Sequence, residues 1–170
     1  SVRTGALTSG QVDLTAITHQ DVATVEKAGL QTFAQANRVP AVSLEVNTSR
    51  GVLKDQAVRE ALRHAIDRED LVEKAHSGLT KPATGSLTAA APHHIDQPDL
   101  LSHDPAKAVS LLEGAGWTEI EDGIRYKDGE PLQITATFAS NPDNTRFLEV
   151  IQAQVREVGI DFRLRPLTSG

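Results

Sequence analysis

Two apolar stripes of helical spacing, separated by the polar residues 67–70, constrain the fold of this chain more than any other feature. They lie in the stretch DQAVREALRHAIDREDLVEKAHSG, residues 55–78, and their members are Val58, Leu62, Ala65 and Ile66, followed by Leu71, Val72 and Ala75. Asp67 stands between the stripes, where its carboxylate can accept hydrogen bonds from the free backbone N–H groups of a second helix. Gly78 can end that helix. The stretch therefore predicts two helices joined at Asp67.

The same stretch places a histidine and an aspartate three residues apart, which raises the alternative of catalysis. His64 and Asp67 could touch on one helix face. A catalytic His–Asp pair also needs a nucleophile or a substrate cleft beside it, and nothing nearby in the sequence supplies one. Capping explains Asp67 without any further group and is the favoured interpretation. A hydrolase that uses His64 and Asp67, or the loop around His93-His94, is the enzymatic alternative.

Strand-like and helix-like patterns alternate along the rest of the sequence. Before the paired helices, the patterns predict a strand over residues 10–17, a helix over 18–29, and two strands over 30–37 and 41–47. After them, residues 80–101 have no sustained period and predict a long irregular loop. Such a mixture of strands and helices is typical of the α/β class.

The C-terminal part of the chain carries the clearest start and stop signals. Asp104 and Pro105 begin a predicted helix, and Trp117, which follows its glycine stop, is predicted to pack in the core. A hairpin with its turn at Asp128-Gly129 is predicted over residues 122–140. A further helix begins at Asn141-Pro142 and a last strand follows it; the predicted core stripes of these two elements are Phe147, Ile151, Val155 and Val158, and then Ile160, Phe162 and Leu164.

Composition excludes several classes of function. The formal charge of −6 at pH 7 opposes binding to a phosphate backbone, so no nucleic acid partner is expected. The sequence has no Cys, which excludes disulfides and thiolate metal sites. His93, His94 and Asp96 lack the spacing of a zinc site, so neither a metal nor another cofactor is expected. No apolar run is long enough to cross a bilayer. Position 1 is not Met, and we therefore expect the sequence to be a piece of a longer product.

Several stretches, in order, resemble a signature of the extracytoplasmic solute-binding proteins of ABC importers, in the peptide and nickel class known as family 5. The longest stretch covers residues 47–78 and matches the family's pattern at Asn47, Thr48, Asp55, Val58, Arg59, Ala61, Leu62, Ala65, Ile66, Asp67 and Arg68. The stretches HDPAKAVSLLEGAGW, IQAQVREVGIDFRL and GQVDL are similar to other parts of the family's chain. One departure is Gly51-Val52-Leu53, where the family carries Pro-Phe.

The resemblance implies one lobe of a two-lobed, periplasmic-binding-protein-like fold of type II, with a mixed sheet and flanking helices. Residues 1–170 would be a single domain, the second lobe, and the first lobe would lie outside this chain. The implied protein is monomeric, extracytoplasmic, in the periplasm or as a cell-surface lipoprotein, and not an enzyme. Its partners would be a peptide or another small solute and the permease subunits of an ABC transporter. A ligand-sensing domain of a regulator on the same fold is the alternative, and oligopeptide, dipeptide, nickel-chelate and sugar binders share the pattern.

Arg146 is the first candidate for ligand contact. It lies near the start of the helix that begins at Asn141, and a guanidinium can bind a carboxylate through two parallel hydrogen bonds. The resemblance places this segment at the ligand cleft. The alternative is a solvated Arg146 that pairs with Glu149 or Asp143 on the polar face of the helix.

Four more residues complete the predicted site. Thr145 and Asn141 could add hydrogen bonds, and the alternative for Asn141 is the helix cap. Ser86 and Leu87 lie in a loop that resembles the family's Gly-x-hydrophobic-Pro loop beside the cleft, with Thr88 in place of the Pro. The alternative for this loop is a surface turn.

Overall fold

The computed structural model describes residues 1–34 and 42–167 of the chain. The helices are α1 (Val2–Thr8), α2 (Val22–Lys27), α3 (Gln56–Ala65), α4 (Arg68–His76), α5 (Pro105–Gly114) and α6 (Pro142–Arg156). The strands are β1 (Glu119–Glu121), β2 (Ile124–Lys127), β3 (Glu130–Pro131), β4 (Gln133–Ala139) and β5 (Asp161–Leu167). Strands β1, β2 and β3 form one antiparallel sheet, and β4 pairs with β5 in parallel. Within the described ranges, no helix is both long and apolar enough to span a bilayer.

The two helices predicted around Asp67 are confirmed. The backbone leaves the helical region at Ile66, and the Asp67 carboxylate accepts hydrogen bonds from the N–H groups of Glu69 and Asp70, each at 3.0 Å. Gln154 of α6 braces the same corner, because its side chain accepts from the Asp67 N–H at 3.2 Å and donates to the Asp67 carbonyl at 3.1 Å. The corner between α3 and α4 is therefore held by one cap and by one contact from a distant helix.

The hairpin prediction is confirmed at its turn and wrong beyond it. Asp128 and Gly129 both have positive φ, as a two-residue turn between β2 and β3 requires. After Pro131 the chain leaves the hairpin. Strand β4 pairs instead with β5, which follows α6 in the sequence. A parallel pair needs a crossover connection, and α6 supplies it and packs against β5. The long alternation after the turn therefore belongs to a β4–α6–β5 unit.

The predictions for the N-terminal part are mostly wrong. Residues 10–17 form no strand; Leu14 is 85% exposed, and the alternation has no ladder partner among the described residues. The helix predicted over 18–29 is a 3-10 turn followed by the shorter α2, and α1 was not predicted. The described parts of the strands predicted over 30–37 and 41–47 are irregular, and the turn predicted between them lies outside the described residues.

The core lies between the β4–β5 pair, α6 and the helices α3, α4 and α5. Its largest fully buried side chains include Leu112, Leu132, Ile151 and Ile160. Trp117 is also buried, as predicted. On α6 the buried stripe is Leu148, Ile151 and Val155, continued by Val158 after the helix, whereas the predicted member Phe147 is only partly buried.

A buried arginine ties the small antiparallel sheet to this core. Arg125 on β2 is 5% exposed, and its guanidinium donates to the carbonyls of Val158 and Trp117 and to the Glu113 carboxylate. Gly159 lies so close that a Cβ there would stand 2.5 Å from the Arg125 Cγ. These contacts hold β2 against the ends of α5 and α6. They also give the buried guanidinium three hydrogen-bond acceptors, which offset the cost of removing its charge from water.

Candidate functional site

The start of α6 lies at the carboxyl end of the parallel strands. The N–H of Ser140 donates to the Leu167 carbonyl at 3.1 Å, which extends the strand pairing to this edge. The side chain of Asn144 donates to the Ala139 carbonyl at 3.0 Å and holds the first turn of α6 against the end of β4. In open α/β sheets, ligands bind outside the carboxyl ends of parallel strands. The edge that carries three of the predicted site residues is therefore suited to binding.

Asn141 caps α6, which is the alternative to ligand contact that the sequence offered for this residue. Its side-chain oxygen accepts from the N–H of Asn144 at 2.8 Å, and its carbonyl accepts from the N–H of Thr145 at 3.0 Å. The side chain of Asn141 is exposed and that of Thr145 is half-buried. Asn141 thus orients the first turn of the helix from which Thr145 and Arg146 project.

Arg146 has a partner that neither sequence interpretation included. Its Nε donates to the carbonyl of Lys74 at 2.6 Å, in the last turn of α4. A cation at the carboxyl end of a helix is favourable, because the carbonyl groups there carry a partial negative charge. The expected pairing with Glu149 or Asp143 is not among the described ion pairs. The two terminal amino groups of Arg146 have no hydrogen-bond partner in the described parts of the chain, so they are available to an anion.

Ser86 and Leu87 lie on the loop of residues 80–101, outside the helices and strands named above. Ser86 is exposed and Leu87 is half-buried. The Leu87 carbonyl faces the Nδ1 of His94 at 2.9 Å, and the Nε2 of His94 lies 2.8 Å from the Asp96 carboxylate. No described hydrogen bond or ion pair joins this loop segment to the start of α6. The structure therefore shows the five predicted site residues as two separate groups.

His64 and Asp67 have separate structural contacts, so the geometry does not support the hydrolase alternative. His64 is fully buried, and its Nδ1 bonds to the carbonyl of Ser102 at 2.9 Å. Asp67 caps α4 and approaches the Nδ1 of His103 at 3.5 Å. Throughout residues 1–34 and 42–167, no three His, Asp or Glu side chains are grouped as they would be around a metal ion.

A shallow groove of about 490 Å³ runs between α4 and α6, and the sequence patterns did not predict it. Its ionisable members are Asp67, Asp70, Lys74, His103, Arg146, Glu149 and Glu157. Lys74 donates to Asp70 at 2.8 Å, and this contact raises the pKa of Lys74 and lowers that of Asp70. Gln154 also donates to Asp70, at 2.9 Å. Gln154 and Arg146 of α6 thus join the two walls of the groove by their hydrogen bonds to α4. From the sequence alone, these polar residues are typical of a solvated helix face.

Residues 1–170 match the sequence model of the bacterial extracellular solute-binding proteins, family 5, middle part. The nickel-binding periplasmic protein of Escherichia coli is 33% identical over 148 residues, which cover 79% of this chain and 28% of that protein. The oligopeptide-binding protein AppA of Bacillus subtilis is 28% identical over 162 residues, or 92% of this chain and 30% of that one.

Solved structures agree with these matches. NikA from Brucella suis in complex with Fe(III)-EDTA superposes with a TM-score of 0.85 at 30% identity, over 99% of this chain and 35% of that chain. AppA from Bacillus subtilis in complex with a nonapeptide superposes with a TM-score of 0.81 at 26% identity, over 98% and 34% of the two chains. The chain therefore spans about a third of the length of its relatives, and its fold is that of part of a periplasmic binding protein. It belongs to the bacterial extracellular solute-binding proteins of family 5.

Proposed function

We propose that this chain is part of the substrate-binding component of an ABC importer, which captures oligopeptides or related solutes outside the cytoplasm. The observation that carries the proposal is the family match over residues 1–170, together with the close superposition on two binding proteins solved with bound ligands. The role is binding without chemistry. A permease of the importer would receive the solute, and the complete protein would act as a monomer.

We also propose that residues 1–170 form one lobe and that a second lobe completes the site. Three features support this division. The buried residues from α3 to β5 form one continuous core. The chain covers only 35% of NikA and 34% of AppA. The carboxyl edge of β4 and β5, with the start of α6, is open to solvent and could form one wall of a cleft.

On this edge, the ligand contacts would come from the start of α6 and from the loop segment of Ser86 and Leu87. Arg146 would bind a carboxylate or another anionic group with its free terminal amino groups, and Thr145 would add a hydrogen bond. Asn141 would act through the helix it caps. The mixture of one cation and several neutral polar groups suits a peptide, which offers a carboxylate and many backbone groups.

The test is to identify the solute that the full-length protein carries. Native mass spectrometry of protein purified without added ligand would show the mass of a co-purified solute, which can then be removed and replaced. Peptides, nickel chelates and oligosaccharides are then titrated separately by calorimetry. Binding of a peptide supports the proposal. Binding of none of the three classes, or cleavage of a bound peptide, would contradict it.

A further inference from the structure

The loop of residues 80–101 closes on itself between Thr84 and Gln97. The N–H of Gln97 donates to the Thr84 carbonyl at 2.6 Å. Gly85 lies directly against the carbonyl of Ile95, so that any side chain at position 85 would collide with that backbone. The segment is therefore compact although it contains no helix, as is typical of loops whose ends lie close together.

His94 spans the interior of this closed segment. Its Nδ1 lies 2.9 Å from the Leu87 carbonyl oxygen and its Nε2 lies 2.8 Å from an oxygen of Asp96. Its side chain is only 16% exposed. A carbonyl oxygen and an ionised carboxylate can only accept hydrogen bonds, so both ring nitrogens must carry hydrogen. The contacts on the two sides of the ring are those of an imidazolium.

The electrostatics of the segment agree with this protonation state. The hydrogen bond to Asp96, and then the one to the Leu87 carbonyl, raise the pKa of His94 above its ordinary value of 6.5. Hydrogen bonds from Thr84 and His94 lower the pKa of Asp96. The charged group that faces His94 in the described structure is the Asp96 carboxylate, while the Thr84 hydroxyl, 3.2 Å from Nε2, is neutral.

We propose that the His94 imidazolium is a positioning residue for Ser86 and Leu87, so that the conformation of this ligand-contacting segment depends on the charge of His94. A neutral ring has one N–H and loses its hydrogen bond either to Leu87 or to Asp96. The segment should loosen as the pH rises through the raised pKa of His94. The effect on ligand affinity rests on the proposed function, whereas the effect on the loop does not.

The loop effect is tested by hydrogen exchange with mass spectrometry on the full-length protein, from about pH 5 to about pH 9, a range that brackets histidine titration. After correction for intrinsic exchange rates, the wild type should lose protection in residues 84–97 as the pH rises. His94→Gln should show the weak protection at every pH. Asp96→Asn keeps the shape but removes the charge, and should move the transition to lower pH.

His93→Asn is the matched control, because it removes the neighbouring histidine and Asn tolerates the positive φ of that position. This variant should behave as the wild type. A transition that persists in His94→Gln would overturn the proposal, and so would a wild type without any transition over the range.

The affinity effect is tested with a pool of synthetic nonapeptides of mixed sequence. Binding to the wild type should weaken on the order of tenfold across the same pH range, the scale of one hydrogen bond to a charged group, and binding to His94→Gln should not change. Equal wild-type affinities at both ends of the range, with the loop transition present, would overturn the link to ligand contact. If the pool does not bind at any pH, peptide capture is wrong, and the exchange data still decide the role of His94.

Discussion

Arg146 joins two helices with one part of its guanidinium and leaves the rest available. Its Nε donates to the Lys74 carbonyl, and its side chain is otherwise exposed. In the full-length protein, Arg146→Ala should weaken binding of the co-purified solute by about 2–5 kcal/mol, if the contact is buried when the lobes close. The loss of one exposed hydrogen bond should cost stability by only about 1 kcal/mol. Calorimetric titration and thermal unfolding of the same preparations separate the two effects.

Arg163→Ala is the matched control for this experiment. Arg163 is an exposed arginine near the start of β5, paired with Asp161 at 2.8 Å and four residues before the carboxyl end of the strand. Its loss should leave solute affinity unchanged. Equal affinities of the wild type and Arg146→Ala would assign Arg146 to the α4–α6 contact alone.

His76 gives the pH dependence of stability a sign opposite to that of His94. Its ring stacks on His19 with 4.5 Å between centroids, and burial, followed by the charge of His19, lowers its pKa below 6.5. The folded protein therefore resists protonation that the unfolded chain accepts, so stability is complete above about pH 6.5 and is lost as the pH falls below it. In thermal unfolding, His76→Phe should gain stability relative to the wild type on acidification. A constant difference between the two proteins at all pH values would contradict this.

The element that the sequence describes best is the corner between α3 and α4, and its cap is open to a direct test. Asp67→Ala removes two hydrogen bonds to N–H groups of α4 and should lower the free energy of unfolding by about 0.5–2 kcal/mol. Solute affinity should hardly change, because Asp67 acts on the helix start. Glu69→Ala, an exposed change in the same turn, is the control for charge. A collapse of affinity with an unchanged melting curve would instead place Asp67 in the binding site.

At the scale of the whole molecule, the continuous core predicts that residues 1–170 fold alone. Buried side chains from Val58 to Phe162 form one cluster, so helices α3 to α6 and the β4–β5 pair should unfold together. Circular dichroism of the isolated fragment should show one cooperative thermal transition. A featureless scan would mean that the remainder of the protein is needed to complete this core.

The sequence by itself determined the features that depend on neighbours a few residues apart. The caps at Asp67, Asp104 and Asn141, and the turn at Asp128-Gly129, are all present, because a cap or a tight turn is satisfied within about four residues. The same local reasoning failed for residues 10–17, since an apolar alternation becomes a strand only when another strand lies beside it.

Only the tertiary structure decided which distant groups meet. The alternation of β4 fits an antiparallel or a parallel partner equally well, and the packing of α6 selected β5. Arg146 donates to a carbonyl 72 residues away, and Gln154 reaches Asp67 across 87 residues. The two groups of candidate site residues were named from the sequence, yet the contacts that orient them, Lys74 for Arg146 and His94 for Leu87, arise from the folded backbone. Side-chain period and capping carry no information about such contacts, because these depend on where whole elements pack.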